Sequence, residues 1–193
     1  MLEKLIMQNR SRRRFFQEEV IGDEILTELV NLARLSASAA NLQPLKYFIS
    51  NGRETNAQIF SCLSWAAYLN DWPGPDEGER PSAYIIILGD THISKHFGCD
   101  HGIAAQSILL GAVEKGFGGC MVGAIDRPKL QQILEIEERY TVILAIALGK
   151  PKEEVIIEEV AENGDIKYWH DEKDTHHVPK RSLEEIIIRF KKE

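Results

Sequence analysis

Apolar and polar positions along the chain change period several times, and the changes divide it into helices and strands. Leu2, Leu5, Ile6 and Asn9 fall on one helical face and predict a short first helix that ends near an arginine run. In GDEILTELVNLARLSAS, the positions Ile25, Leu26, Leu29, Val30, Leu32 and Ala33 keep the helical spacing, and Asp23 and Glu24 place negative charge in the first turn. Pro44 forbids further helix, and LKYFIS at 45–50 is rich in strand formers. Residues 52–68 read as a helix, and DWPGPDEGERP at 71–81 as a long surface loop. AYIIIL at 83–88 is a continuous apolar strand, followed by a helix over roughly 100–115.

GGCMVGAID then gives a short strand, and Asp126 caps a helix through Leu134 that has Pro128 in its first turn. TVILAIALG is apolar throughout, as in a strand covered on both faces, and Ser182 and Glu185 open the last helix in capping-box spacing. About six helices thus separate four or five short strands, which selects an α/β or α+β three-layer arrangement. No internal repeat or linker composition interrupts the chain, so a single domain over 1–193 is expected.

Charge and cysteine content narrow the function. Lys and Arg number 23 against 30 Asp and Glu, a formal charge of -7 that repels polyanions and argues against general nucleic-acid binding. Cys62, Cys99 and Cys120 have no CxxC spacing, which removes a disulfide framework and a zinc ribbon and fits a reducing compartment. The longest apolar run, 142–148, is far short of the ~20 residues of a membrane helix. The basic residues near the N-terminus follow an apolar patch, where a signal peptide would place them before it, so an untargeted cytoplasmic protein is expected.

Against that acidic background Arg10, Ser11, Arg12, Arg13 and Arg14 stand out. Guanidiniums this close repel one another unless an anion sits among them or carboxylates such as Glu18 and Glu19 pair with them; a phosphate dianion suits their rigid forks. In SASAANLQP at 36–44, Ser38, Asn41 and Gln43 could read the edge of a flat heterocycle, or form a turn with Asn41 left-handed. The glycines 116, 118, 119 and 123 close a helix and lead into a strand, the reverse of a dinucleotide fingerprint. His92, His96 and Cys99 stand at i, i+4 and i+7, but Gly98 interrupts that face, and His170, His176 and His177 have no fixed partner cluster. No metal site is therefore expected. No serine elbow or activated cysteine is present for hydrolysis.

Together NRSRRRF at 9–15, SASAANLQPLKYFIS at 36–50, DHGIAAQSILLGAVEKGFGGCMVG at 100–123 and VPKRSLEEI at 178–186 resemble, in order, the motifs of the FMN-dependent nitroreductase family. The resemblance implies an α+β, three-layer α/β/α fold with a central, mostly antiparallel sheet flanked by helices. It implies FMN as cofactor, and a homodimer with flavin sites at the subunit interface, passing electrons from NAD(P)H to a small aromatic acceptor such as a nitroaromatic or quinone. Carried over residue by residue, it assigns Arg10, Ser11, Arg13 and Arg12 to the phosphate and pyrimidine edge. Ser38, Ala39, Asn41 and Gln43 come to lie against the flavin of the partner subunit. Gly123 and Ala124 face flavin N5, and Lys180 and Arg181 touch the phosphate. Trp65, Tyr68 and Trp72 fall where relatives vary their substrate cover, as stacking groups or as plain core and dimer contacts. The family's doubled arginine, the proline of its second motif and the tryptophan after QP are here Asn9-Arg10, Ala37 and Leu45. A flavin carrier without turnover, or a regulator binding another phosphorylated ligand, would use the same residues.

Overall fold

The computed structural model describes residues 1–66, 68, 72–161 and 164–189. Its centre is a sheet built on two apolar strands, β3 (Ala83–Asp90) and β5 (Tyr140–Pro151). They pair antiparallel from Ala83 opposite Leu148 to Asp90 opposite Tyr140, with one irregularity between Ile87 and Leu88. The strand β2 (Leu45–Ser50) adds to the free edge of β3, whereas β4 (Gly118–Val122) and the two-residue β1 (Phe15–Phe16) both pair with β5. Every ladder in this sheet is antiparallel.

Alternation along β3 explains why the run AYIIIL has no polar face. Ala83, Ile85 and Ile87 point into one core with Leu26, Leu29 and Ala33 of α2 (Asp23–Leu35) and Ala104, Ala105 and Ile108 of α4 (Asp100–Glu114). Tyr84, Ile86 and Leu88 point into a second core with Ile59 of α3 (Arg53–Phe60) and Leu130 of α5 (Arg127–Ile133). Helices therefore cover both faces of the sheet, the three-layer α+β architecture expected. Gly111 lets α2 and α4 approach closely, because a Cβ there would lie 2.3 Å from a methyl of Leu32.

Several ends are set by the chemistry read above. The Asp126 side chain accepts the Lys129 N–H at the start of α5, and Ser182 caps the short α6 (Leu183–Ile186) by accepting from Glu185. α4 closes at Gly116, φ +79°, with the Phe117 N–H returning to the Ala112 carbonyl. The helix expected over 52–68 stops at Phe60 instead. Leu63 bridges to Ile125 and the Ser64 N–H donates to the Ala124 carbonyl, so pairing with the β4–α5 connection overrides helix propensity, and Ala66 sits at φ +41°. Residue 67 and, in the loop expected over 71–81, residue 71 lie outside the described residues.

The count of four or five strands was too low. Eight strands are present among the described residues, and three of them, β6 (Val155–Glu159), β7 (Trp169–His170) and β8 (His176–Lys180), form a second small sheet in which β6 and β8 run parallel. Short, half-exposed strands, one of them containing Pro179, leave no periodic signal in the sequence. Their existence depends on contacts with partners distant along the chain. Among the described residues no helix is long and apolar enough to cross a membrane.

Candidate functional site

The first helix, α1 (Leu2–Gln8), delivers the arginine run onto the edge of β4. Ser11 forms a parallel bridge to Gly119, and the Arg12 N–H donates to the Gly119 carbonyl at 3.1 Å. Asn9 is buried and donates from Nδ2 to Gln106 of α4 at 3.3 Å. This arm is fixed by backbone contacts, so its side chains are free to serve elsewhere.

Those side chains part company. Arg14 ion-pairs with Glu79 and Asp174, not with Glu18 or Glu19. Arg12 turns away to the Glu153 carbonyl and a second surface hollow beside Phe117 and Pro151. Burial lowers its pKa, while the carboxylates of Glu153 and Glu154 oppose that fall. Arg10, Ser11 and Arg13 instead line a cavity of roughly 280 Å3 together with Asn9, Tyr168, His176, Val178 and Lys180.

Among the described residues none of Arg10, Arg13 and Lys180 is paired with a carboxylate. Arg10 spends one nitrogen on the Ile6 carbonyl at 2.9 Å, its buried Nε has no partner, and burial lowers its pKa. The Arg13 guanidinium lies 4.9 Å from the centre of the Tyr168 ring. The two ends of the chain thus meet: β8 brings Lys180 to residues 10–13. Arg181, by contrast, is exposed and paired with Glu185.

The 36–44 segment lines a separate cavity of roughly 200 Å3 with Ser36, Ser38, Gln43, Lys46, Tyr47 and Asp100 among its walls. Asp100 is buried and organises the turn, taking the Ser38 hydroxyl at 2.6 Å and the Ala39 N–H at 3.1 Å, while the Gln43 N–H donates to Ser38 Oγ at 2.9 Å. Ala40, Asn41 and Gln43 all have positive φ, 48°, 55° and 50°. Asn41 is left-handed as expected, in a 3-10 turn rather than as the cap of α2, which ends at Leu35. The Gln43 amide folds back on Asn41.

Gly123 and Ala124 follow β4 and are exposed; both carbonyls are engaged, with Arg127 and Ser64, and a side chain at Gly123 would meet only open space. Trp65 is a core residue, packed on Phe60 with ring centres 5.5 Å apart and covered by Gly74. Trp72 packs against the same core from its edge, and half-exposed Tyr68 packs at a tilt on Tyr168 with ring centres 5.2 Å apart, next to the arginine cavity. His92, His96 and Cys99 lie in turns before α4, exposed, so no helix aligns them.

Sequence reasoning missed Tyr168 and Glu153, and noted His170 and His176 without giving them a partner or a role. Glu153 accepts the backbone N–H groups of Arg13 and Arg14 on one oxygen and faces His176 and His170 with the other. Burial pushes its carboxyl up, but His176 and the two N–H groups outweigh that and hold it below the usual range. Only the pairing of β6, β7 and β8 brings these residues to the arm, and nothing in their spacing announces it. On the far face of the sheet, burial pushes the Cys120 thiol up to about 12, which leaves it a protonated core residue.

The central antiparallel sheet covered on both faces by helices is shared with solved nitroreductase structures. A nitroreductase family protein of Streptococcus pneumoniae superposes with a TM-score of 0.70 at 16% identity, covering 98% of this chain and 100% of that one. An FMN-dependent nitroreductase of Clostridium difficile superposes at 0.65 and 21%, over 78% and 87%. In sequence, a protein of Archaeoglobus fulgidus named "Putative NADH dehydrogenase/NAD(P)H nitroreductase" is 28% identical over 159 residues, 78% of this chain and 86% of that protein. The family model described as Nitroreductase family matches residues 80–150, from β3 through β5. The chain is thus similar to nitroreductases in fold and, over residues 80–150, to the Nitroreductase family in sequence, the family its motifs resemble.

Proposed function

We propose that the chain is an FMN-dependent oxidoreductase, one flavin-binding domain per subunit of a homodimer, that moves electrons from NAD(P)H to a small acceptor such as a nitroaromatic or quinone. The observation that carries this reading is the cavity in which Arg10, Ser11, Arg13 and Lys180 converge, with none of the three cationic side chains ion-paired to a carboxylate among the described residues. Three cations without counter-ions and a buried guanidinium Nε without a partner suit a phosphate dianion, because each charge-assisted contact offsets their mutual repulsion.

FMN, when bound, supplies the two-electron chemistry; the protein supplies position and charge. Arg10, Ser11 and Lys180 would hold the phosphate. Arg13, aligned over Tyr168, would favour added negative charge on the ring system. Gly123 and Ala124, with their carbonyls engaged, offer N–H groups and no bulky side chain to a ring edge. Within one chain the turn at Ser38–Gln43 lines a different cavity from the arginines, which agrees with its serving a second subunit's flavin. Apolar side chains uncovered in the single chain, Leu2, Ile6 and Met7 of α1 and Leu183, Ile186 and Ile188 near the other end, supply surface for that subunit.

The test is reconstitution with FMN followed by gel filtration and steady-state NAD(P)H oxidation with nitrofurazone or menadione. The expected result is a yellow dimer that turns over, with FMN affinity falling at least about tenfold in Arg13→Ala, the loss of about one charged hydrogen bond. A protein that stays colourless with FMN disposes of the reading, and a yellow protein that oxidises no NAD(P)H marks a carrier.

A further inference from the structure

We propose that Glu153, His170 and His176 form a binding site for one divalent transition-metal ion of zinc type, beside the arginine cavity. One oxygen of Glu153 lies 3.8 Å from His176 Nδ1 and 3.9 Å from His170 Nε2, and the three donor atoms fall within 4.8 Å of one another.

These separations are too long for hydrogen bonds, so the groups face one another without satisfying one another. His176 is 1% exposed, and neither of its ring nitrogens has a partner; His170 Nε2 is likewise buried and unpartnered. Leaving such nitrogens unmet is costly, and structures rarely retain the cost without a ligand, water or ion to meet it. Neighbouring His177 provides the contrast, since both its nitrogens reach carboxylates, Glu158 at 3.0 Å and Asp171 at 3.4 Å.

Two imidazoles and one carboxylate match the donor set of an open zinc site, in which bonds of about 2.0–2.2 Å place ligand atoms a little over 3 Å apart. Reaching that spacing from separations of up to 4.8 Å requires the two imidazoles to move towards the carboxylate. The carboxylate is already oriented, because its other oxygen is held by the backbone N–H groups of Arg13 and Arg14, which acts as an outer shell for the ion. Of the cations nearby, Arg14 is paired with Glu79 and Asp174, whereas Arg10, Arg13 and Lys180 are unpaired among the described residues, so the Glu153 carboxylate must hold the ion against their charge. Three protein ligands leave a further position, and His176 also lines the cavity of Arg10, Ser11 and Lys180, so that position can take water or an anionic group.

The site stands independently of the flavin reading and is tested on the full chain with and without FMN. Zn2+ is titrated against a chromophoric chelator, and Co2+ is added for its visible ligand-field bands. One equivalent per chain is expected, with affinity falling at least about 100-fold in His170→Ala and in His176→Ala, and unchanged in the exposed control His96→Ala. Should His176→Ala not fold, as judged by circular dichroism, His170→Ala decides alone. Absence of Zn2+ and Co2+ binding at micromolar protein overturns the proposal, as does binding that survives His170→Ala. Either result leaves FMN binding, read separately from flavin absorbance, to be judged by itself.

Discussion

Glu79 provides the sharpest test of how the arm is held. Its carboxylate receives Arg14 on both oxygens and Lys152 Nζ at 2.6 Å, tying the N-terminal arm to the end of β5. The hydrogen bond from Arg14 first, and that from Lys152 after it, draw the carboxyl from its ordinary 4.5 down to about 2. At about 1.4 kcal/mol per pKa unit, that fall bounds the contribution at about 3.5 kcal/mol. Lys152 is 42% exposed, so screening by water reduces the expectation to about 1–2 kcal/mol. Glu79→Gln keeps the shape and removes the charge, and should lower Tm by about 3–6 °C at pH 6. Because the folded-state pKa lies below the unfolded one, the stabilisation is full above about pH 4.5 and drains away as pH falls towards 2. Urea unfolding of both proteins at pH 6 and pH 3 should therefore show the difference shrinking to less than half. A difference of the same size at both pH values would refute the assignment of the stability to this ion pair.

Three further outcomes are expected. Gly119→Ala should cost about 3 kcal/mol or prevent soluble expression, since its Cβ would lie 2.1 Å from the Ala147 carbonyl oxygen and force β4 from β5; thermal melts of whatever folds measure it. Ile86→Ala, in the fully buried middle of β3, should lose about 2–5 kcal/mol in urea unfolding. Asp100→Ala removes the anchor of Ser38 and Ala39, so limited proteolysis should cut the 38–43 turn faster while stability falls by about 1–3 kcal/mol.

How much of this could be read in advance follows from where each signal lives. The alternation of α2, β3, α4 and β5 was legible because long apolar runs and helical spacing are local, and caps such as Asp126 and Ser182 mark ends within a few residues. The overshoot past Phe60 and the unseen sheet of β6, β7 and β8 share another cause: both depend on partners far along the chain, Ala124 in one case and His176–Lys180 in the other. The arginine run was visible as an anomaly, but its division was not. That Arg13 faces the cavity, Arg12 faces Glu153 and Arg14 faces Glu79 is decided by strand geometry and by carboxylates distant in sequence. The meeting of Lys180 with residues 10–13 was implied by family motifs alone.

The position of β5 between β3, β4 and β1 governs how this polypeptide can acquire its shape. During synthesis the apolar β3 emerges with β2 to pair along one edge and with α2 and α3 available for its two faces, while its other edge awaits β5 and its faces await the rest of their cover from α4 and α5. The nascent chain must carry that greasy strand with one edge open and its faces only partly covered until Tyr140–Pro151 leaves the ribosome and closes the sheet, and refolding is correspondingly dominated by slow, non-local pairing. β5 is thus the closing piece of assembly, and the interval before its arrival is when self-association competes most strongly with folding.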